Sequence, residues 1–107
     1  VAYDAQLAAR VREIFAAGGP PVFEKAMFGG LAFMVAGKIA VAAMADGLLV
    51  RVGAQRAEKL LKTTAAQHMA MGGRTMRGWV HIDGEHLRSP RRLSYWIDIG
   101  IASATGA

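Results

Sequence analysis

Residues 27–52, MFGGLAFMVAGKIAVAAMADGLLVRV, decide the fold. Two short turn signals, Ala36-Gly37 and Asp46-Gly47, separate runs of β-compatible apolar residues. The favoured two-residue hairpin loop needs φ > 0 at both central residues, which Asp-Gly supplies readily. The stretch therefore predicts three consecutive antiparallel strands. With two-residue loops at both turns, Met34 faces Ile39, Ala32 faces Val41, Ala45 faces Leu48 and Ala43 faces Val50. Because side chains alternate across a strand, this register sorts the residues into two faces. One is wholly apolar (Ala32, Met34, Ile39, Val41, Ala43, Ala45, Leu48, Val50 and Val52) and is expected under the helices. The other is mixed and carries Leu31, Phe33, Val35, Lys38, Ala40, Ala42, Met44, Leu49 and Arg51. It is too apolar for a fully solvated surface, so either a second subunit or the chain's own segments cover it. The second-subunit reading makes the protein a homodimer and puts Leu31, Phe33, Val35, Met44 and Leu49 in the interface. A one-residue slip in pairing swaps the two faces.

Outward from this meander the punctuation is clear. Asp4 caps a first helix in which Leu7, Val11, Ile14 and Phe15 recur at helical spacing, and Gly18-Gly19-Pro20-Pro21 stops it. Residues 22–28 add a short strand or the lead-in to one, and Gly29-Gly30 marks a bulge or a close backbone approach. After Gly53 a short helix over residues 54–63 buries Ala57, Leu60 and Leu61, with Glu58 and Lys62 spaced as a surface pair. Residues 68–71 and 77–82 flank Gly72-Gly73-Arg74 as a second hairpin, the later strand carrying Trp79, Val80 and Ile82. Ser89-Pro90 opens a last helix by a serine cap and a proline at the first helical position. Its Leu93, Trp96, Ile97 and Ile101 line one side, and Gly100 on that side allows close approach to the sheet. The order α-β-β-β-α-β-β-α, with helices on one face of an antiparallel sheet, makes a two-layer α+β domain spanning residues 1–107.

Length and composition agree with one domain and one core: 107 residues bury about two-thirds of the surface of the unfolded chain. No apolar run approaches the roughly 18 residues that cross a bilayer, and the start lacks a signal-peptide pattern, so a cytoplasmic protein is expected. The chain has no cysteine, which excludes disulfides, thiolate metal sites and cysteine nucleophiles. Of the 13 basic residues, nine fall within residues 51–92 against three acidic ones, so that segment holds the whole positive excess of a chain whose net charge is +5. Such a bias suits solvated faces, an acidic partner or nucleic acid.

Five elements, taken together, resemble a known family. They are Met27-Phe28-Gly29-Gly30-Leu31, the Val35-Ala36-Gly37-Lys38 turn, Asp46-Gly47-Leu48, Gly78-Trp79-Val80 and the tryptophan-bearing final helix around residues 93–102. Over nearly the whole chain they resemble the N-terminal domain of the TfoX/Sxy competence regulators, including its stand-alone bacterial members. The resemblance implies an α/β two-layer fold like the one above and supplies no catalytic residue and no cofactor. It implies a non-enzymatic, regulatory role toward DNA-uptake genes through protein partners of the transcription machinery, the cyclic-AMP receptor protein among them. Full-length regulators carry a second, C-terminal domain, whereas this sequence ends at Ala107 just after the last helix.

The residues themselves offer few chemical sites. His81, Asp83, Glu85 and His86 have metal-ligand chemistry, but their spacing fits no known motif and strand-ending turns are rich in such groups, so no metal is expected. Arg74, Arg77, Arg88, Arg91 and Arg92 form a basic zone for phosphate or an acidic partner, and Lys25, Lys38 and Arg51 are assigned together to the mixed face. No helix presents polar side chains for base reading, so DNA binding, if present, is non-specific. Gly29-Gly30 and Gly72-Gly73 lack the strand-to-helix context of phosphate cradles. A rival to the interaction module is a small-molecule-binding protein or enzyme with a pocket beside Trp79 and His81.

Overall fold

A computed structural model describes residues 3–27, 29–71 and 74–106, with backbone alone at 70, 71, 74 and 75. Phe28 and the Gly72-Gly73 pair, expected from the sequence to join two strands, lie outside the described residues. Helix α1 (Ala5–Ala16) starts where Asp4 Oδ1 accepts hydrogen bonds from the amides of Gln6 and Leu7, at 3.0 and 3.1 Å. This satisfies donors that have no partner inside the helix. Four strands follow: β1 (Phe23–Met27), β2 (Gly30–Val35), β3 (Lys38–Ala43) and β4 (Gly47–Arg51). Helix α2 (Ala54–Thr63) and the hairpin β5 (Gln67–Met71) and β6 (Arg74–Asp83) come next. A single 3₁₀ turn, Gly84–Leu87, leads into α3 (Pro90–Thr105). Among the described residues, six strands form one antiparallel sheet in the order β1-β2-β3-β4-β6-β5. The lead-in to the meander is thus a full strand at the sheet edge, and the α+β class holds.

The faces of β2 are the reverse of those predicted. Phe33 pairs with Val41 but Met34 pairs with Ile39, leaving Ala40 as an extra residue in β3. Such a bulge sets two consecutive residues of the longer strand against one on its partner, and it shifts the alternation beyond it. Ala40 and Val41 both join the helix-side core, together with Leu31, Phe33 and Val35 of β2 and Leu48, Val50 and Val52 beyond them. Leu31, Phe33 and Val35 are therefore core residues under the helices and are removed from any subunit interface. Phe33 is fully buried, its ring stacked on Phe15 of α1 with centroids 6.0 Å apart and planes 11° apart. Ala32, Met34 and Ile39 belong to the opposite face.

The first hairpin turn forms as expected, with positive φ at Ala36 (54°) and Gly37 (80°). The second does not. Met44 donates to the Gly47 carbonyl at 2.8 Å and Ala43 pairs with Leu48, so the loop residues are Ala45 and Asp46, neither with positive φ. The register moves by two residues, which by itself swaps no faces, so Val41, Ala43, Leu48 and Val50 stay on the expected helix side. Gly47 is needed for another reason: a Cβ there would run into the Ile82 carbonyl of β6.

All three helices bury side chains in one cluster with the sheet. Gly100 of α3 lies against the bulge, where a Cβ would collide with the Ala40 carbonyl oxygen and lie 2.8 Å from Val41 Cγ1. The sequence expectation of close approach is met there. Ser89 takes the cap position of α3, its carbonyl accepting from the Leu93 amide at 3.1 Å, but its side chain makes no capping bond. At the outer edge Arg12 of α1 grips Glu24 of β1 through two bonds of 2.7 and 2.8 Å. That bond holds the Glu24 carboxyl below its ordinary pKa despite an opposing desolvation effect. On the far face Ala32, Ala42 and Leu49 are fully buried beneath half-buried Met27, Ile39, Met44, Met69 and Trp79.

Candidate functional site

The turn at residues 44–47 is a junction of three elements. Its Met44 carbonyl accepts from the Asp4 amide at 3.1 Å, and its Asp46 carbonyl accepts from the Gly84 amide at 3.0 Å. The Asp46 side chain reaches His81 of β6, with Oδ1 3.1 Å from Nε2, while His81 Nδ1 lies 3.5 Å from Asp83 Oδ1. His81 is 9% exposed and Asp46 largely exposed. Of the four metal-type residues in the sequence cluster, the structure thus joins His81 and Asp83, adds Asp46 from a distant turn, and separates Glu85 and His86 as a pair 3.7 Å apart. Ligand atoms of Asp46, His81 and Asp83 lie within 4.8 Å of one another, so these residues could hold a cation. The contact between Asp46 Oδ1 and His81 Nε2 is within hydrogen-bond reach and ties the turn to β6.

Beside Trp79 lies a hollow of about 140 Å³ whose walls include Glu58, His68 and Arg77. His81 does not line it. It is small beside the roughly 300–1,000 Å³ of ordinary small-molecule sites.

A furrow runs between α2 and α3. Helix α3 packs on β3 and β4 and α2 on β6, so the two stand over different strands. Three adjoining hollows follow the seam. One, of about 410 Å³, lies between the start of α2 and the end of α3, with Arg56, Ala102 and Gly106 among its lining. The middle one, of about 250 Å³, is lined by Arg56, Lys59, Leu60, Thr63, Tyr95 and Ile99. The third, of about 410 Å³, includes Thr63, His86, Arg92, Tyr95 and Trp96. Shared Arg56, Thr63 and Tyr95 join them into one channel with the helices running in opposite directions. Leu60 and Trp96 are buried, Ile99 is half-buried, and Tyr95 stands 49% exposed, edge-on to Trp96 at 5.2 Å between centroids. Among the described residues, none that is acidic lines any of the three hollows.

The basic zone read from the sequence is divided by the fold. Arg88, Arg91 and Arg92 cluster as exposed residues around the start of α3, and only Arg92 reaches the furrow. Arg77 is exposed on β6 beside the Trp79 hollow, and the Arg74 side chain lies outside the described residues. Lys25 and Arg51 share the far sheet face through their pairing with Ala32 and Trp79, whereas Lys38 pairs with Val35 on the helix-side face. Met44 is half-buried and Leu49 fully buried on the far face. Sequence reasoning missed Arg56, Lys59, Thr63 and Tyr95. For the three on α2 the signal was present, since residues 56, 59, 60 and 63 fall at i, i+3, i+4 and i+7, one continuous stripe.

These features define a small two-layer α+β domain with an acid-free basic furrow between two of its helices. The chain matches the family model of the TfoX N-terminal domain over residues 13–104 and belongs to that family. A search of curated proteins returned no match. No described helix is long and apolar enough to cross a membrane.

Proposed function

We propose that this domain is a non-enzymatic regulatory module that acts by binding protein partners in the control of DNA-uptake genes. Family membership supports the regulatory part. The observation that carries the interaction part is the furrow: a long, open, partly apolar channel flanked by exposed cations and free of acidic lining. Open channels of this shape suit macromolecular contact better than enclosure of a small substrate. The domain also pairs with a second copy through the far face of the sheet, where Met34, Ile39, Met44 and Trp79 remain partly exposed and Phe23 is 65% exposed at the edge. The cyclic-AMP receptor protein is the first partner to try. The deciding experiment is transcript measurement for DNA-uptake genes in cells that lack or overproduce the protein. Transcripts that follow its level support the reading; transcripts indifferent to both changes refute it.

A further inference from the structure

We propose that the α2–α3 furrow docks an acidic amphipathic helix of a partner protein. The inference rests on the interaction-module reading and gives it a surface and a chemistry. Arg56 and Lys59 rise along the α2 wall and Arg92 along the α3 wall, and none of them is ion-paired among the described residues. Like charges along one channel repel, and carboxylates brought between them relieve that repulsion while setting the orientation of the partner. The floor of Leu60, Tyr95, Trp96 and Ile99 requires something more than charge. A helix with apolar residues at i, i+3, i+4 and i+7 meets such a floor, and its flanking Glu or Asp meet the basic walls. The ten residues of α2 give the channel a length of about 15 Å, which matches roughly three turns of a docked helix.

Nucleic acid fits less well. Sequence-tolerant single-strand binding uses successive exposed aromatic faces for stacking. Here Trp96 is buried and Tyr95 alone is exposed, with its ring set against Trp96. Duplex recognition inserts a helix or ribbon into a groove of the DNA, whereas this surface is itself the groove.

The test uses the purified domain and a fluorescein-labelled amphipathic peptide of Leu and Glu about 14 residues long, roughly four helical turns. A scrambled peptide of the same composition is the control. Anisotropy at about 150 mM salt, where exposed charges are well screened, is expected to show the amphipathic peptide binding at least tenfold tighter than the scramble. Amide shift changes are expected at Thr63, Tyr95 and Ile99. Lys59→Glu and Arg92→Glu should each weaken binding by about tenfold, and Tyr95→Ala by a similar factor, as expected for contacts inside an interface. Lys38→Glu makes the same charge change in the β2–β3 hairpin and should alter affinity by less than about twofold, since rim and remote charges count little. No binding, equal binding of the scramble, equal loss in Lys38→Glu, or shifts confined to other surfaces each overturn the proposal. So does tighter binding of single-stranded or duplex DNA to the same residues at that salt, which would assign the furrow to nucleic acid. Peptide binding at the furrow with unchanged DNA-uptake transcripts would leave the groove standing and remove the regulatory reading; the opposite pair of results would do the reverse.

Discussion

Replacing Phe33 and its neighbour Met34 by alanine, one at a time, tests which face of β2 supports the core. The bulge at Ala40 turns Phe33 inward, where it is fully buried and stacked on Phe15, and turns Met34 to the half-buried far face. Removing a buried phenylalanine ring leaves a cavity and typically costs about 3–5 kcal/mol. A domain of this size holds about 5–15 kcal/mol in total, so Phe33→Ala takes away roughly 30–50% of a mid-range stability. At roughly 4–8 °C per kcal/mol for a domain near this length, its midpoint falls by at least about 12 °C. Met34→Ala removes a half-exposed, flexible side chain and costs about 1 kcal/mol, with a fall of only a few degrees. Urea titration followed by far-UV circular dichroism measures both free energies, and a scan in the same buffer gives the midpoints. Regular alternation without the bulge would put Met34 in the helix-side core and Phe33 outside it. Equal losses, or a larger loss for Met34→Ala, would therefore refute the bulged register.

Other substitutions probe separate features. Gly100→Ala is ordinarily favourable inside a helix by about 1 kcal/mol, but here the new methyl meets the Ala40 carbonyl, so net destabilisation of about 1–3 kcal/mol is expected from overpacking; a raised urea midpoint would contradict the close seat of α3. Ala36 sits at φ 54°, which costs an L-residue with a β-carbon roughly 1–2 kcal/mol that asparagine partly avoids, so Ala36→Asn should raise the thermal midpoint by a few degrees and an unchanged or lower value would count against that turn. The Arg12–Glu24 bond lowers the folded-state pKa of Glu24, so its stabilisation is complete above the ordinary carboxyl value of 4.5 and is lost as pH falls through the depressed one. Arg12→Ala should accordingly make the acid limb of the stability curve shallower below that pH, and an identical limb in both proteins would remove the pair from the account. If the far sheet face pairs two copies, Met34→Glu should convert a dimer to a monomer in light scattering while the fold persists; an unchanged dimer mass places the contact elsewhere.

Local signals carried most of the element order. The Asp4 cap, the Gly-Gly-Pro-Pro stop, the Ala36-Gly37 turn and the limits of α2 are short-range chemistry and are written in adjacent residues. Non-local facts were hidden. Nothing in residues 38–43, KIAVAA, marks Ala40 as extra, because a bulge between two small apolar residues leaves the apolar pattern intact. The inward turn of Leu31, Phe33 and Val35 was consequently illegible, although the sensitivity of the faces to a one-residue slip was plain. Asp46-Gly47 misled in another way. Glycine there looked like the turn residue, but it is required by the passing backbone of β6, a strand that begins some thirty residues later in the chain. The furrow was half legible: the α2 stripe follows from helical spacing, while its confrontation with Arg92 of α3 depends on where the sheet sets the two helices.

That setting can be followed from one backbone irregularity. The extra residue in β3 pushes the Ala40 carbonyl toward the helix layer, and only a residue without a β-carbon can pass it closely. Gly100 is that residue, and Leu93, Trp96, Ile97 and Ala104 bury the rest of the same side of α3. A helix held along this side has its rotation fixed, which leaves Arg92, Tyr95 and Ile99 turned toward α2. Helix α2 is fixed separately, by Ala57 and Leu60 against the core beside β6. The distance between the two helices is thus set by the order of strands beneath them and the direction of their side chains by the bulge. The basic side chains on the furrow walls are exposed, so charges can be changed there with little effect on the core. Binding and stability should separate by position: Lys59 and Arg92 alter the first, Gly100 and Phe33 the second.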